Sequence, residues 1–157
     1  MTADDDLRRL SAREDNRDLL VRVALAQDAR DWDGLADGFE PDAVYQHPRG
    51  ELRGVEAIVD RSRTALSPLD ASQHLLGTIL VTLEDDEAAA ISYFQAQHVR
   101  HGTPGGDLYV IAGTYRDRLA CSDGRWRISH RSQEYTWRDG NPDVIRRDTT
   151  GSAAAPR

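Results

Sequence analysis

Four side chains have the types that acid–base chemistry at carbon requires: Asp28 in "AQDARDWD", His74 in "ASQHLLGTILV", His98 in "FQAQHVRHG" and Arg131 in "WRISHRSQ". An imidazole titrates nearest neutral pH, so a histidine at a pocket mouth can serve as a general base. His74 stands at the entrance to an apolar run that alternates like a strand. Leu76, Thr78 and Leu80 share its face, and Leu75, Gly77, Ile79 and Val81 take the other. His98 shares a strand face with Phe94 and Ala96, which directs it toward a pocket. Asp28 lies one helical turn beyond Ala24, at the edge of an apolar stripe, from where it can point inward. Arg131 falls on the opposite strand face from Ile128 and, if buried, needs a carboxylate partner. Each position also has a plainer reading. Asp28 can be a solvated carboxylate and His74 a core-edge ring bonded to a carbonyl. His98 can face solvent beside Arg100 and His101, and Arg131 can be a surface cation. His47 and His130 carry weaker signals; His130 alternates with Trp126, Ile128 and Ser132 and reads as structural. Three histidines and an aspartate could bind a metal, but their scatter over separate elements matches no compact ligand motif, so no metal is expected.

The composition narrows the classes. The chain has 157 residues, enough for one domain with a core. A net charge of −7 argues against nucleic acid, which requires basic patches, and against an anionic membrane surface. No apolar run reaches the roughly 20 residues of a membrane helix. The opening "MTADDDLRRL" is acidic and polar, unlike a signal peptide, and a cytoplasmic protein is the simplest reading. A single cysteine, Cys121, excludes an internal disulfide. There is no lysine, which removes Schiff-base chemistry and the phosphate-loop lysine. Glycine-rich dinucleotide fingerprints, the G-x-S-x-G elbow and H-E-x-x-H are also absent.

Elements must position the four residues. "SARE" at 11–14 forms a capping box, so a first helix is expected from there to about Asp28, with Leu19, Leu20, Val23 and Ala24 on its buried stripe. Trp32, Leu35 and Phe39 mark a second, short helix, and Ala43–Gln46 a short strand after Pro41. Val55, Ile58, Val59 and Leu66 mark a third helix, ended by Ser67-Pro68. Four long strands follow: Leu75–Leu83, Ala88–Arg100, Asp107–Leu119 and Trp126–Trp137, the last two joined by an Asp-Gly hairpin. Residues 1–10 read as an N-terminal extension, 11–146 as one domain and 147–157 as a disordered tail. The order defines an α+β fold in which a curved, mostly antiparallel sheet is closed by helices over a central pocket.

With these phrases in place, the chain resembles the SnoaL-like family of the nuclear-transport-factor-2-like superfamily. "ARDWDGLADGFEPDAV", "ASQHLLGTILV" and "GTYRDRL" followed by "DGRWRISHR" and "WRDGNP" carry the likeness, over roughly residues 8–146. The resemblance implies a cone-shaped α+β barrel. It also implies an Asp/His base pair like those of scytalone dehydratase and hexachlorocyclohexane dehydrochlorinase. The matching positions here are Asp28, His74 and His98, and Arg131 stands where the dehydrochlorinase has an arginine. Gln27 and Val23 depart from the family's tyrosine or lysine positions, and the region near Gly113 and Tyr115 departs from its Ser and Asn.

In such a pair the aspartate fixes the tautomer of His74 and stabilises the imidazolium formed when the ring takes a proton. A proton α to a carbonyl is the expected target, with His98 protonating a leaving hydroxyl or holding a carbonyl oxygen. The expected function is therefore a cofactor-independent lyase or isomerase, dehydratase-like, for a small hydrophobic cyclic or polyketide-like substrate. No metal, nucleotide or flavin is implied. The alternatives are a polyketide cyclase, a non-catalytic module binding a small molecule in the same pocket, and an assembly role. The resemblance also implies a homodimer or higher homo-oligomer.

Overall fold

The computed structural model describes residues 2–146; the expected tail, 147–157, lies outside the described residues. Helix α1 runs Ala3–Ala29, α2 Trp32–Asp37 and α3 Val55–Leu66. The strands are β1 Phe39–His47, β2 Gly50–Arg53, β3 Ala71–Glu84, β4 Glu87–Val99, β5 Leu108–Ser122 and β6 Arg125–Gly140. A short 3-10 turn, Pro142–Ile145, follows. No helix among the described residues is long and apolar enough to cross a membrane.

The first helix starts earlier than its internal capping box indicated. Thr2 is the N-cap, its hydroxyl accepting from the Asp5 amide while the Asp5 carboxylate accepts from the Thr2 amide. Residues 3–10 thus form the first turns of α1. Three acids, Asp4, Asp5 and Asp6, sit in that first turn, where the helix dipole favours negative charge. Phe39, expected on the second helix, instead opens β1. Leu35 anchors α2 to the core, and Gly38 ends it. The β2 hairpin strand was not foreseen, because Pro48 and Gly50 obscure a four-residue strand.

The six strands form one curved sheet in the order β2-β1-β6-β5-β4-β3. All neighbours are antiparallel except β1 and β6. The outer strands β2 and β3 do not pair, so the sheet is an open cone rather than a closed barrel. Helix α1 packs on β3 and buries Leu19, Leu20, Val23 and Ala26. A second apolar cluster gathers Leu66, Leu69, Phe94, Ile111, Tyr115 and Val144.

Strict alternation misplaces two stretches, and β-bulges are the reason. Gly77 pairs with Tyr93 and Leu80 with Ile91, so β3 carries one residue more than β4 there, and Thr78 takes φ 50° to fit it. Past the bulge the inward side is Ile79, Val81 and Leu83, while Leu80, expected beside His74, is exposed. In β6, Ser129 is the extra residue: Arg118 pairs with His130 but Leu119 with Ile128. That slip brings Arg131 to the same inner face as Ile128, not the opposite one, and both are buried. A third bulge at Thr136 bends β6 between Tyr135 and Trp137. Beside it Gly113 lies so close to the Glu134 carbonyl that any Cβ would collide with it.

Candidate active site

The register decides which side chains meet. Ser72 lies opposite His98, and His74 opposite Ala96, on the inner face of β3 and β4. Helix α1 ends above them. Its cap, Arg30, takes the left-handed conformation at φ 60°, which turns the chain away and leaves Asp28 over the start of β3. The Arg30 guanidinium then donates to the carbonyls of Gln27 and Asp28, two of the acceptors a helix end leaves open.

Asp28 receives three hydrogen bonds from β3. The His74 amide donates to Oδ2 at 2.7 Å, the Ser72 hydroxyl donates to Oδ1 at 2.9 Å, and the His74 ring nitrogen Nδ1 lies 2.7 Å from Oδ1. Arg30 donates to Ser72 Oγ at 2.7 Å, so a chain runs Arg30, Ser72, Asp28, His74. Burial raises the Asp28 carboxyl, but the bonds and charge from His74, with Ser72, outweigh it and hold the group below its ordinary value. An ionised carboxylate only accepts, so in the neutral His74 ring Nδ1 carries the proton and Nε2 keeps its lone pair. The His74 side chain is 7% exposed and lines a cavity of about 750 Å³.

His98 stands beside it, the two rings edge to face with centroids 6.3 Å apart. Its Nδ1 donates to the Tyr109 carbonyl at 3.1 Å, which again leaves Nε2 as an acceptor. Burial and the neighbouring His74 lower His98 to about 4, so it is neutral at physiological pH. A neutral ring with its proton committed to a carbonyl accepts a hydrogen bond from a substrate; it does not donate one.

Arg131 is not among the residues that line the cavity. Its Nε and Nη2 bond the two oxygens of Asp117 at 2.7 and 3.0 Å in a pair that is almost fully buried. The guanidinium lies 4.2 Å from the centre of the Tyr115 ring, and Tyr115 does line the cavity. Burial would lower Arg131, but Asp117 holds it well above its ordinary value. Burial likewise pushes the Tyr115 phenol up to about 12.

The far wall, from β1, β6 and α3, was not expected to contribute. His47 and Tyr135 meet there, Tyr135 Oη 3.3 Å from His47 Nε2. The Arg49 amide donates to His47 Nδ1 at 3.1 Å, so the proton of the neutral ring is on Nε2. Burial, with Arg61 and Arg49, lowers His47 to about 4. Ser72 had a faint signal, two residues before His74 on one strand face. His47 had only a weak signal, and Arg30, Arg49, Arg61 and Tyr135 had none, because they come from four separate elements or turns. Among the described residues no three His, Cys, Asp or Glu side chains gather into an ion site.

Known proteins resemble this chain along most of its length. The terrestric acid biosynthesis cluster protein E of Penicillium crustosum is 28% identical over 138 residues, covering 84% of this chain and 88% of its own. The crystal structure of the Kfla4162 protein from Kribbella flavida superposes with a TM-score of 0.81 at 16% identity, over 87% of this chain and 98% of that one. The hexachlorocyclohexane dehydrochlorinase LinA-type3 from Novosphingobium barchaimii superposes at 0.77 and 19% identity, over 97% and 99%. These structural likenesses establish the fold. Residues 8–132, which carry α1, the Asp28–His74 contact and all six strands up to the middle of β6, match the SnoaL-like domain, and the chain belongs to that family.

Proposed function

We propose that this protein is a cofactor-independent lyase or isomerase in which His74 takes a proton from carbon. The observation that carries the reading is the 2.7 Å contact between Asp28 and His74 Nδ1, made by a ring that lines the cavity. The carboxylate fixes the tautomer and stabilises the imidazolium that forms. In a dehydration, the C–H electrons become the new double bond as the C–O bond breaks. The departing hydroxide takes the proton back from the imidazolium and leaves as water. Return of the proton to another carbon gives an isomerisation; attack of the carbanion on a second carbonyl gives a cyclisation. His98 Nε2 accepts a hydrogen bond from a substrate hydroxyl and orients it. Arg131 acts as a positioning residue, holding Tyr115 through the ring face and the Asp117 pair. The names of the relatives, one from a biosynthesis cluster and one a dehydrochlorinase, support small-molecule elimination chemistry.

Deuterium exchange tests the base without knowing the natural substrate. A panel of cyclic ketones led by 1-tetralone is incubated in D₂O and followed by NMR. A positioned base should accelerate α-proton exchange by about 10²–10⁴-fold. The His74→Ala variant should abolish the acceleration and Asp28→Asn should remove most of it. Exchange by the native protein no faster than by His74→Ala would sink the proposal. Tight ketone binding without exchange would instead indicate a binding module.

A further inference from the structure

The cavity is electrostatically one-sided. Acidic residues outnumber basic ones in the chain, 27 to 20. Yet four arginines line the cavity, Arg49, Arg61, Arg100 and Arg146, and among the described residues no aspartate or glutamate does. Arg146 is paired with Asp143. Arg49, in the turn after β1, and Arg61, on α3, form no ion pair with any described carboxylate. Burial lowers His47 and raises Tyr135, and the charges of both arginines pull each of the two groups down. Both arginines line the same cavity as His47 and Tyr135, and the Arg49 amide bonds the His47 ring.

The far wall also carries a directed proton. The His47 ring receives the Arg49 amide at Nδ1 and so donates from Nε2 to Tyr135 Oη. With its oxygen accepting, the Tyr135 hydroxyl has its own proton free to donate into the cavity that both side chains line. Two guanidiniums and a phenol whose oxygen already accepts from His47 present donors to the cavity. A neutral apolar molecule leaves such a set unsatisfied and partly desolvated, which costs free energy. A carboxylate answers all three, since guanidinium matches its geometry in bidentate fashion. In the sheet order β6 lies three strands, and β1 four strands, from β3, which carries His74.

We propose that the substrate is an organic acid: an apolar body whose carboxylate is held by Arg49, Arg61 and Tyr135, with the reacting carbon against His74. The assignment of the carboxylate wall stands on its own; only the placement of the reacting carbon rests on the function proposed above. This adds a carboxylate to the expected small hydrophobic cyclic or polyketide-like substrate.

Matched probes test it by calorimetry: benzoate against benzamide and 2-naphthoate against 2-naphthamide. At least one carboxylate should bind roughly tenfold or more tightly than its amide, one charge-assisted contact being enough for that ratio. The preference should weaken as salt rises from about 50 to 500 mM, since the wall is partly exposed. Arg49→Gln with Arg61→Gln should abolish it, and Arg61→Gln alone should reduce it, thermal melting reporting that each variant is folded. Asp28→Asn, which disables the proposed base, should keep it, so a failure of the base and a failure of the anion wall give different results. Equal affinity for acid and amide, a preference that survives the double variant, or no binding of either carboxylate at millimolar concentration would each overturn the proposal.

Discussion

Two carboxylates on the inner side of this molecule each hold a basic partner, and they do so to opposite ends. Asp117 and Arg131 face each other directly across β5 and β6, both oxygens matched by two guanidinium nitrogens. Aromatic rings cover the guanidinium, Tyr115 at 4.2 Å and Phe39 at 5.8 Å. Asp28 and His74 come from a helix end and a strand start, and the carboxylate there is 19% exposed. Only one ring nitrogen of His74 is engaged, and the other is left to the cavity. The lesson is that pairing alone does not make a reactive site. A buried pair matched oxygen for nitrogen is part of the frame, whereas a pair with one lone pair left open toward a cavity can move a proton.

Exchanging the carboxylates for amides tests that contrast most strongly. Asp28→Asn should cut ketone exchange by about 10²-fold or more with little loss of stability, because the base loses its orienting anion. Asp117→Asn should instead destabilise the fold by roughly 3–5 kcal/mol in urea denaturation, since it leaves the Arg131 charge buried without its counterion. Replacing both members, Asp117→Leu with Arg131→Met, should recover most of that loss. If Asp28→Asn proves the more destabilising of the two, the contrast is wrong.

Acid should reach the two regions differently. His98 is lowered in the folded state from 6.5 to about 4, so the unfolded chain binds more protons between those values. Its contribution is complete above pH 6.5 and is lost as pH falls toward 4, by roughly 3 kcal/mol in all. His98→Gln should flatten that part of the stability–pH curve measured by urea midpoint. Asp28, held below its ordinary carboxylate value, contributes stability above the unfolded value of 3.8 and loses it as pH drops through the lower folded one. Ser72→Ala, the smallest change, removes one charge-assisted bond to Asp28 and should cost about 1 kcal/mol while shifting the acid limb of exchange upward.

Much of this arrangement was legible in the sequence, for definite reasons. The apolar stripe of α1, the four long strands and the inward aim of His98 follow from periodicities of 3.6 and 2 that the fold obeys. Asp28 and His74 are 46 positions apart, and the bend at Arg30 that joins them has no sequence signature; the family resemblance supplied that pairing. The environment of Arg131 was hidden because the bulge at Ser129 inverts the alternation just before it. The cationic wall was hidden because Arg49 and Arg61 sit among many other arginines and differ from them only in where the chain folds.

Thr78 changes how β3 answers to substitution. A library of charged residues along the strand should find tolerant sites alternating in one phase as far as Gly77 and in the reverse phase from Ile79 onward. Excision of that threonine alone has no neutral outcome: it either turns Ile79, Val81 and Leu83 out to water or swings the imidazole at position 74 away from its chamber.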